Sequence, residues 1–331
     1  MTRPRIAIIG AGLAGVTLAR RLDQHAEVLV LEKSRGTGGR MATRHKDGVS
    51  FDHGAQYFTI RDAGFHALVE PALEEGVIET WSTPVHHLTA TGALEQREDR
   101  SPRFVAVPGM SRLVKWLARP LKVQFETRAI ALEGKVGDWK LDCDHGSVEG
   151  RFDWVVSTAP APQTASLLPL DPADQEALEG VRMNGCFTLM LQMKPDIDLP
   201  FAAAQVSHPI LGWIAHNNTK PGRETGNHLV VHANNRWSDA NLEEPPEQVQ
   251  ARMIGALEAL LPVVRNALIA SPVLHRWRYA NVETPLGKPF LLDMDRHLAA
   301  CGDWCLGNRV EAAFQSANAL ADALLLQMET A

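Results

Sequence analysis

Four cysteines, two tyrosines and no surplus of basic residues narrow what this chain can do before any motif is read. Cys143, Cys186, Cys301 and Cys305 show no CxxC spacing, so neither a zinc site nor a thioredoxin-like pair is indicated. Cys301 and Cys305 flank Gly302-Asp303-Trp304 without a matching His or Cys partner, which makes buried thiols in a reducing compartment the better reading. His86-His87 likewise lacks a third ligand and reads as a solvated loop, so no metal is expected. The 33 Lys and Arg against 39 Asp and Glu give a net charge of −6, which argues against a nucleic-acid footprint. No apolar run is long enough to cross a bilayer. Arg3 and Arg5 followed by IAIIGAGLAGVTLA loosely resemble a signal peptide. The glycine spacing accounts for that stretch better and no cleavage-like site closes it, so a cytoplasmic protein is expected.

What is present is an apolar content of 45% in 331 residues, enough for a two-lobed molecule. Ile6 to Ile9 is a short apolar run bounded by glycine, the pattern of a strand buried on both faces. Val16, Leu18, Ala19 and Leu22 then recur at helical spacing, and EVLVLE reads as a second buried strand, completing a βαβ unit. Met110, Leu113, Val114 and Leu117 predict a short amphipathic helix entered by a turn at Pro108-Gly109. DWVVSTAP predicts a buried strand stopped by proline.

Between about Pro162 and Thr284 the texture changes to strand-like pieces (FTLMLQM, HLVVHA) and one amphipathic helix bearing Val249, Met253, Leu257, Leu260 and Leu261. α/β character returns with HLAACGDW and a long helix from Val310. The expected fold class is therefore α/β. A discontinuous Rossmann-type lobe with a parallel sheet (1–60, 104–162 and 285–331) surrounds an inserted α+β substrate lobe on a mainly antiparallel sheet (61–103 and 163–284).

Gly10-Ala-Gly12-Leu13-Ala14-Gly15 has the GxGxxG spacing. Gly10 permits the tight turn, Gly12 lets backbone approach a diphosphate, and Gly15 lets helix and strand pack closely. The diphosphate would rest on the free N–H groups at the helix start. Glu32, at the end of the second strand, is placed to accept hydrogen bonds from a ribose diol. That context fits NAD and FAD equally.

The next segment separates them. Lys33-Ser-Arg35-Gly36-Thr-Gly38-Gly39-Arg40-Met41 resembles the RxGGR fingerprint of FAD enzymes in the amine oxidase and glutathione reductase-2 superfamily, with Arg40 suited to bidentate phosphate contact. Cys301-Gly302-Asp303 before the long helix resembles the closing FAD motif of the same superfamily. By that resemblance Asp303 would bind the ribitol, and the helix start at Val310 and Glu311 would face the flavin's pyrimidine end. Family members often carry Ser-Gly within this helix; Ser316-Ala317 stands there instead, which bears on the closest backbone approach. The resemblance also implies flavin contacts from Lys33, Gly39, Gly54, Ala55, Gln56, Tyr57 and Ala129, with FAD held noncovalently.

Asp52-His-Gly54-Ala55-Gln56-Tyr57-Phe58, with FVAVPGMSRL (104–113), LVVHA (229–233), RWRYANV (276–282) and KPFL (288–291), is similar to the renalase branch of that superfamily. The resemblance spans nearly the whole chain and is thin through 165–225. It implies an oxidase of 2- and 6-dihydro isomers of NAD(P), giving NAD(P)+ and hydrogen peroxide, in a metabolite-repair role. Substrate and dioxygen would be the partners, with neither nucleic acid nor membrane involved. A dihydropyridine becomes aromatic on losing hydride, so the site needs ring positioning rather than a strong base. Tyr57, Asn218, His232 and Trp277 would line the substrate pocket.

Two other readings remain open. A flavin amine oxidase would need an aromatic cage, which two tyrosines make harder to build, and the SGGCY-like stretch that attaches FAD in some such enzymes is missing. A flavin module that senses redox state would be reduced without turnover.

Overall fold

The computed structural model describes residues 3–96 and 101–330. The apolar run at the start forms β1 (Arg5–Ile9), which the glycine turn connects to α1 (Leu13–Leu22) and then β2 (Glu27–Leu31). β1 and β2 are parallel, with Ile6 beside Val28 and Ile8 beside Val30. On the other side of β1 lies the strand Trp154–Ser157, also parallel. The six-stranded sheet runs Leu291–Asp293, Leu298–Ala300, Trp154–Ser157, β1, β2, Val123–Gln124, and the only antiparallel neighbour is Leu291–Asp293. The chain leaves β1 toward β2 and returns on the opposite side, so a crevice opens where β1 and Trp154–Ser157 end together.

α1 buries Val16, Leu18, Ala19 and Leu22, and Arg21 on its last turn donates to Asp322 at 2.6 Å on the long helix Val310–Thr330. The sequence-predicted helix after Pro108-Gly109 is Ser111–Leu117, with Leu113, Val114 and Leu117 buried.

A seven-stranded, mainly antiparallel sheet forms the second layer. Its order is Val273–Thr284, Arg182–Met193, Asn227–Ala233, Leu211–His216, Ala203–Val206, Val85–Leu88 and Leu94–Gln96, and only Ala203–Val206 and Val85–Leu88 are parallel neighbours. Alternation divides the faces. Leu189, Val231 and Ile214 are cross-strand partners on one face and pack with Val249, Met253 and Leu257 of the helix Pro246–Leu260. One residue along, His275, Thr188, His232 and Trp213 form a row on the opposite face.

The described residues between 61 and 103 contribute to both layers. The helix Ala63–Glu74 sets Phe65 and Val69 into the core that holds Phe58 and Phe314, whereas Val85–Leu88 and Leu94–Gln96 extend the antiparallel sheet. His86 and His87, expected in a solvated loop, therefore stand in a strand, where His87 bonds Glu95 at 2.9 Å and Ser207 at 2.8 Å. All four cysteines are free and buried. Among the described residues no His, Cys, Asp or Glu group is arranged to hold a metal, and no helix is long and apolar enough to cross a membrane.

Candidate active site

The crevice at the end of β1 is built of backbone. Gly10 has φ +107°, and a Cβ there would meet Thr158 Oγ1 at 2.8 Å. A Cβ on Gly15 would lie 1.9 Å from the Gly10 carbonyl, whereas one on Gly12 would meet nothing within 4 Å. Gly12 caps α1 with no side chain bonded to the helix start, so the N–H groups of Leu13 and Ala14 face the space beside it. Gly38 donates to the Ala11 carbonyl at 3.0 Å, and Gly39, at φ +53°, comes over Gly12. The two glycine segments form one cradle with open space at Gly12, as a diphosphate requires. Buried Glu32 accepts from Ala11 N at 2.9 Å and Ser34 N at 2.8 Å, fixing a carboxylate at the end of β2; Lys33 beside it is exposed.

Arg40 reaches across the molecule rather than into the cradle alone. Its Nη1 donates to Asp303 at 2.7 Å and to the Ala280 carbonyl at 3.3 Å, and Nη2 bonds the second Asp303 oxygen. The fingerprint arginine and the ribitol candidate are thus ion-paired with each other. Gly54 lies against Arg40, where a Cβ would sit 2.0 Å from the Arg40 carbonyl, and Ala55 N donates to that same carbonyl. Gly302 N donates to Ser316 Oγ at 2.9 Å, and that hydroxyl donates to the Pro289 carbonyl, so the serine in the last helix clasps the closing motif. Glu311 accepts from Arg61 N at 2.6 Å and Asp62 N at 2.7 Å, tying the start at Val310 to the helix Ala63–Glu74. Ala129 opens a separate three-stranded sheet and is partly buried.

The antiparallel sheet's polar row faces the segment Asp52–Tyr57. Gln56 donates to the Asp52 and Gly54 carbonyls, lies 3.3 Å from His232 Nε2, and accepts from Lys220 Nζ at 3.2 Å. Lys220 also donates to Asp52 at 3.2 Å and to Asn217 at 3.3 Å. Arg223 bonds Asp52 at 2.6 Å, while Met110 N and Thr43 Oγ1 each donate to its other oxygen at 2.8 Å. Burial alone would raise the Asp52 pKa; Lys220 and Arg223 overcome that and hold it at about 2. Burial draws Lys220 down to about 8 despite the carboxylate opposite.

Tyr57 stands between two indoles, its centroid 6.2 Å from Trp81 and 6.1 Å from Trp213. Arg103 lies 5.7 Å from the rings of both Tyr57 and Trp81, and Lys220 Nζ lies 5.6 Å from Trp81. Tryptophans, rather than the second tyrosine, stand on either side of Tyr57. The Trp81 and Trp213 Nε1 groups are buried and have no hydrogen-bond partner among the described residues. Trp277 stacks on His53 at 5.0 Å and donates to its carbonyl, with His275 4.3 Å away. Burial chiefly lowers the histidines: His232 to about 3 with Lys220 and His53 assisting, His53 to about 4 with His275 and Arg44, and His275 to about 4 with Arg44.

Tyr57, His232 and Trp277 are therefore brought together around Gln56 and His53. Asn218 is not: its Oδ1 accepts from His228 N at 3.2 Å, and the adjacent Asn217 joins the cluster. Sequence reasoning missed Asp52 and His53, although both stand in the GAQY-bearing segment, and it missed Trp81, Trp213, Lys220 and Arg223, which carry no motif.

A parallel sheet with a glycine-lined crevice at its switch point, closed by a second sheet bearing buried polar groups, defines a nucleotide-cofactor oxidoreductase fold. Residues 8–68 match an NAD(P)-binding Rossmann-like domain and residues 84–325 match the flavin containing amine oxidoreductase family. The chain belongs to that family, and FAD is the cofactor membership implies. Among solved structures it is similar to a putative protoporphyrinogen oxidase from Exiguobacterium (TM-score 0.77, 14% identity, 99% of this chain and 100% of that one). It also resembles a putrescine oxidase bound to putrescine (TM-score 0.72, 12% identity, 98% and 99%). These likenesses show the fold. A 4,4'-diapophytoene desaturase of Staphylococcus aureus strain Newman is 47% identical over 51 residues, and the match spans 15% of this chain and 10% of that relative.

Proposed function

We propose that the chain is an FAD oxidase of isomeric dihydronicotinamide dinucleotides, turning 2- and 6-dihydro-NAD(P) into NAD(P)+. Substrate loses a hydride, and dioxygen takes the two electrons with that proton equivalent and one from solvent, leaving hydrogen peroxide. Gly10, Gly12, Leu13, Ala14, Gly15 and Gly39 would hold the diphosphate, Glu32 the ribose, and the Arg40–Asp303 pair would border the ribitol, all noncovalently. Bound flavin would supply the hydride acceptor and the route to oxygen.

The charge balance around Gln56 carries the reading. Lys220 and Arg223 outnumber Asp52 by one, and the surrounding histidines are held neutral at ordinary pH. A site with net positive charge favours a phosphate-bearing substrate over an ammonium. No proton need leave carbon when a dihydropyridine is oxidised, so the chain's task is to orient the ring. Tyr57 and Trp213 would wall it, and the unpaired Trp81 and Trp213 donors suit a carboxamide oxygen. The aromatic trio also suits a neutral amine, which keeps amine oxidation as the second reading.

Anaerobic mixing of the purified flavoprotein with 2- and 6-dihydro-NAD, with NADH, benzylamine and putrescine as controls, separates the two. Rapid loss of flavin absorbance with the isomers alone, and peroxide on admission of air, is the expected result. Bleaching by an amine instead would overturn it.

A further inference from the structure

On the same face of the antiparallel sheet, a recess of about 640 Å³ is lined by Trp213 and His232 together with Asn234, Arg236, Asn281 and Glu283. Pockets of this size take drug-sized ligands, several times larger than one pyridine ring. One wall follows from the chain itself. Asn227–Ala233 delivers His232 to it, and the very next residues, Asn234, Asn235 and Arg236, turn into the helix Asn235–Ala240. Asn281 and Glu283 of the strand Val273–Thr284 face them.

The hydrogen bonds of this wall sort its groups. Asn281 donates to Asn235 at 3.1 Å, and Asp239 is occupied by Gly185 N at 2.6 Å and Asn184 at 2.8 Å. The Arg236 backbone N–H goes to Asn234 at 3.0 Å, but its guanidinium meets no acceptor among the described residues. Glu283 is exposed and presents a carboxylate, which accepts from hydroxyls as Glu32 is placed to do in the other lobe.

Resting on the dihydronicotinamide reading, we infer that this recess is a subsite for the phosphoribosyl arm of the substrate, with Arg236 as its phosphate contact and Glu283 and Asn281 on the ribose hydroxyls. The ring then lies against Trp213 and His232 at one end of the recess while the arm occupies the other. Binding energy from the unreactive arm orients the reacting ring, so a substrate stripped of it loses turnover as well as affinity. Arg236 is a specificity-determining residue in this arrangement.

The test has a binding arm and a turnover arm, both on FAD-loaded enzyme. Calorimetric titration with ADP-ribose, which has the arm and no nicotinamide, is expected to show saturable binding that weakens about tenfold in Arg236→Ala, with partial recovery in Arg236→Lys. In stopped flow, the preference for 6-dihydro-NAD over 6-dihydro-1-methylnicotinamide is expected to fall by a similar factor in Arg236→Ala. Equal ADP-ribose binding by wild type and Arg236→Ala, or no binding at all, overturns the subsite even if the isomers are oxidised. Arg236-dependent ADP-ribose binding without flavin reduction by any isomer leaves the subsite standing and sinks the ring reading instead.

Discussion

Lys220 Nζ lies 3.2 Å from Asp52 Oδ2, and neither side chain has any exposed surface. The pair joins a loop of the antiparallel sheet to the segment that precedes Gln56, across 168 residues of chain. Burying two charges is costly, and the cost is tolerable here because Arg223, Met110 N, Thr43, Gln56 and Asn217 complete the hydrogen bonding.

Asp52→Asn strands two buried cations. It should lower stability by about 3–5 kcal/mol, read as a fall in the thermal unfolding midpoint, because the loss includes the penalty on the partners left behind. A shift no larger than that of an ordinary surface substitution would mean the network is wetter than it looks.

The pKa values give the acid limb of stability a sign. Asp52 is lowered in the folded state, so its contribution is present above about 3.8 and is lost as pH falls toward about 2. His53, His232 and His275 are also lowered, from 6.5 to about 4, 3 and 4, so the unfolded chain takes up protons first as pH drops below 6.5. Denaturant midpoints should therefore decline from pH 6.5 downward, and His53→Asn should flatten the first part of that decline.

Lys220 has the opposite consequence for substrate. Its pKa is lowered to about 8, so it is cationic below that pH and neutral above. The KM for a phosphate-bearing substrate should rise as pH increases through about 8. In Lys220→Met the same profile should be high and flat, since the titrating group is gone.

Trp81 offers a separation of stability from binding. Its indole N–H is buried without a partner, so Trp81→Phe removes an unsatisfied donor and should change the unfolding free energy by less than about 1 kcal/mol. Substrate affinity should nevertheless fall by about tenfold if that donor meets a carboxamide. Unchanged steady-state parameters would place the indole outside the binding chamber.

Gly12 and Gly15 divide along the same line. A Cβ on Gly12 meets nothing, so Gly12→Ala should leave the apoprotein's unfolding midpoint nearly unchanged while reducing FAD per chain in the absorbance spectrum. Gly15→Ala puts a Cβ 1.9 Å from the Gly10 carbonyl and should lower the apoprotein's midpoint as well.

The nucleotide half of the molecule was readable because its signals are local. The apolar run Ile6–Ile9, the glycines and Glu32 lie within one βαβ unit, and each residue's role is set by neighbours a few positions away. The antiparallel sheet was recognisable as strands, but its order depends on pairings such as Thr188 with His275 and His232, which no local spacing encodes. The polar cluster was hidden for the same reason. Lys220 is followed by Pro221 and Gly222 in a stretch without periodicity, yet it is among the most enclosed side chains present. His86-His87 misled in reverse, since two polar residues in a row can alternate faces of a strand as readily as occupy a loop.

The bidentate contact between Arg40 and Asp303 spans 263 positions, and Ser316 locks Gly302 from still later in the chain. During synthesis the glycine cradle emerges long before the residues that close it. A cofactor bordered by that pair would meet a complete site only once nearly the whole chain has been made, and a chain ending before Asp303 would lack one wall.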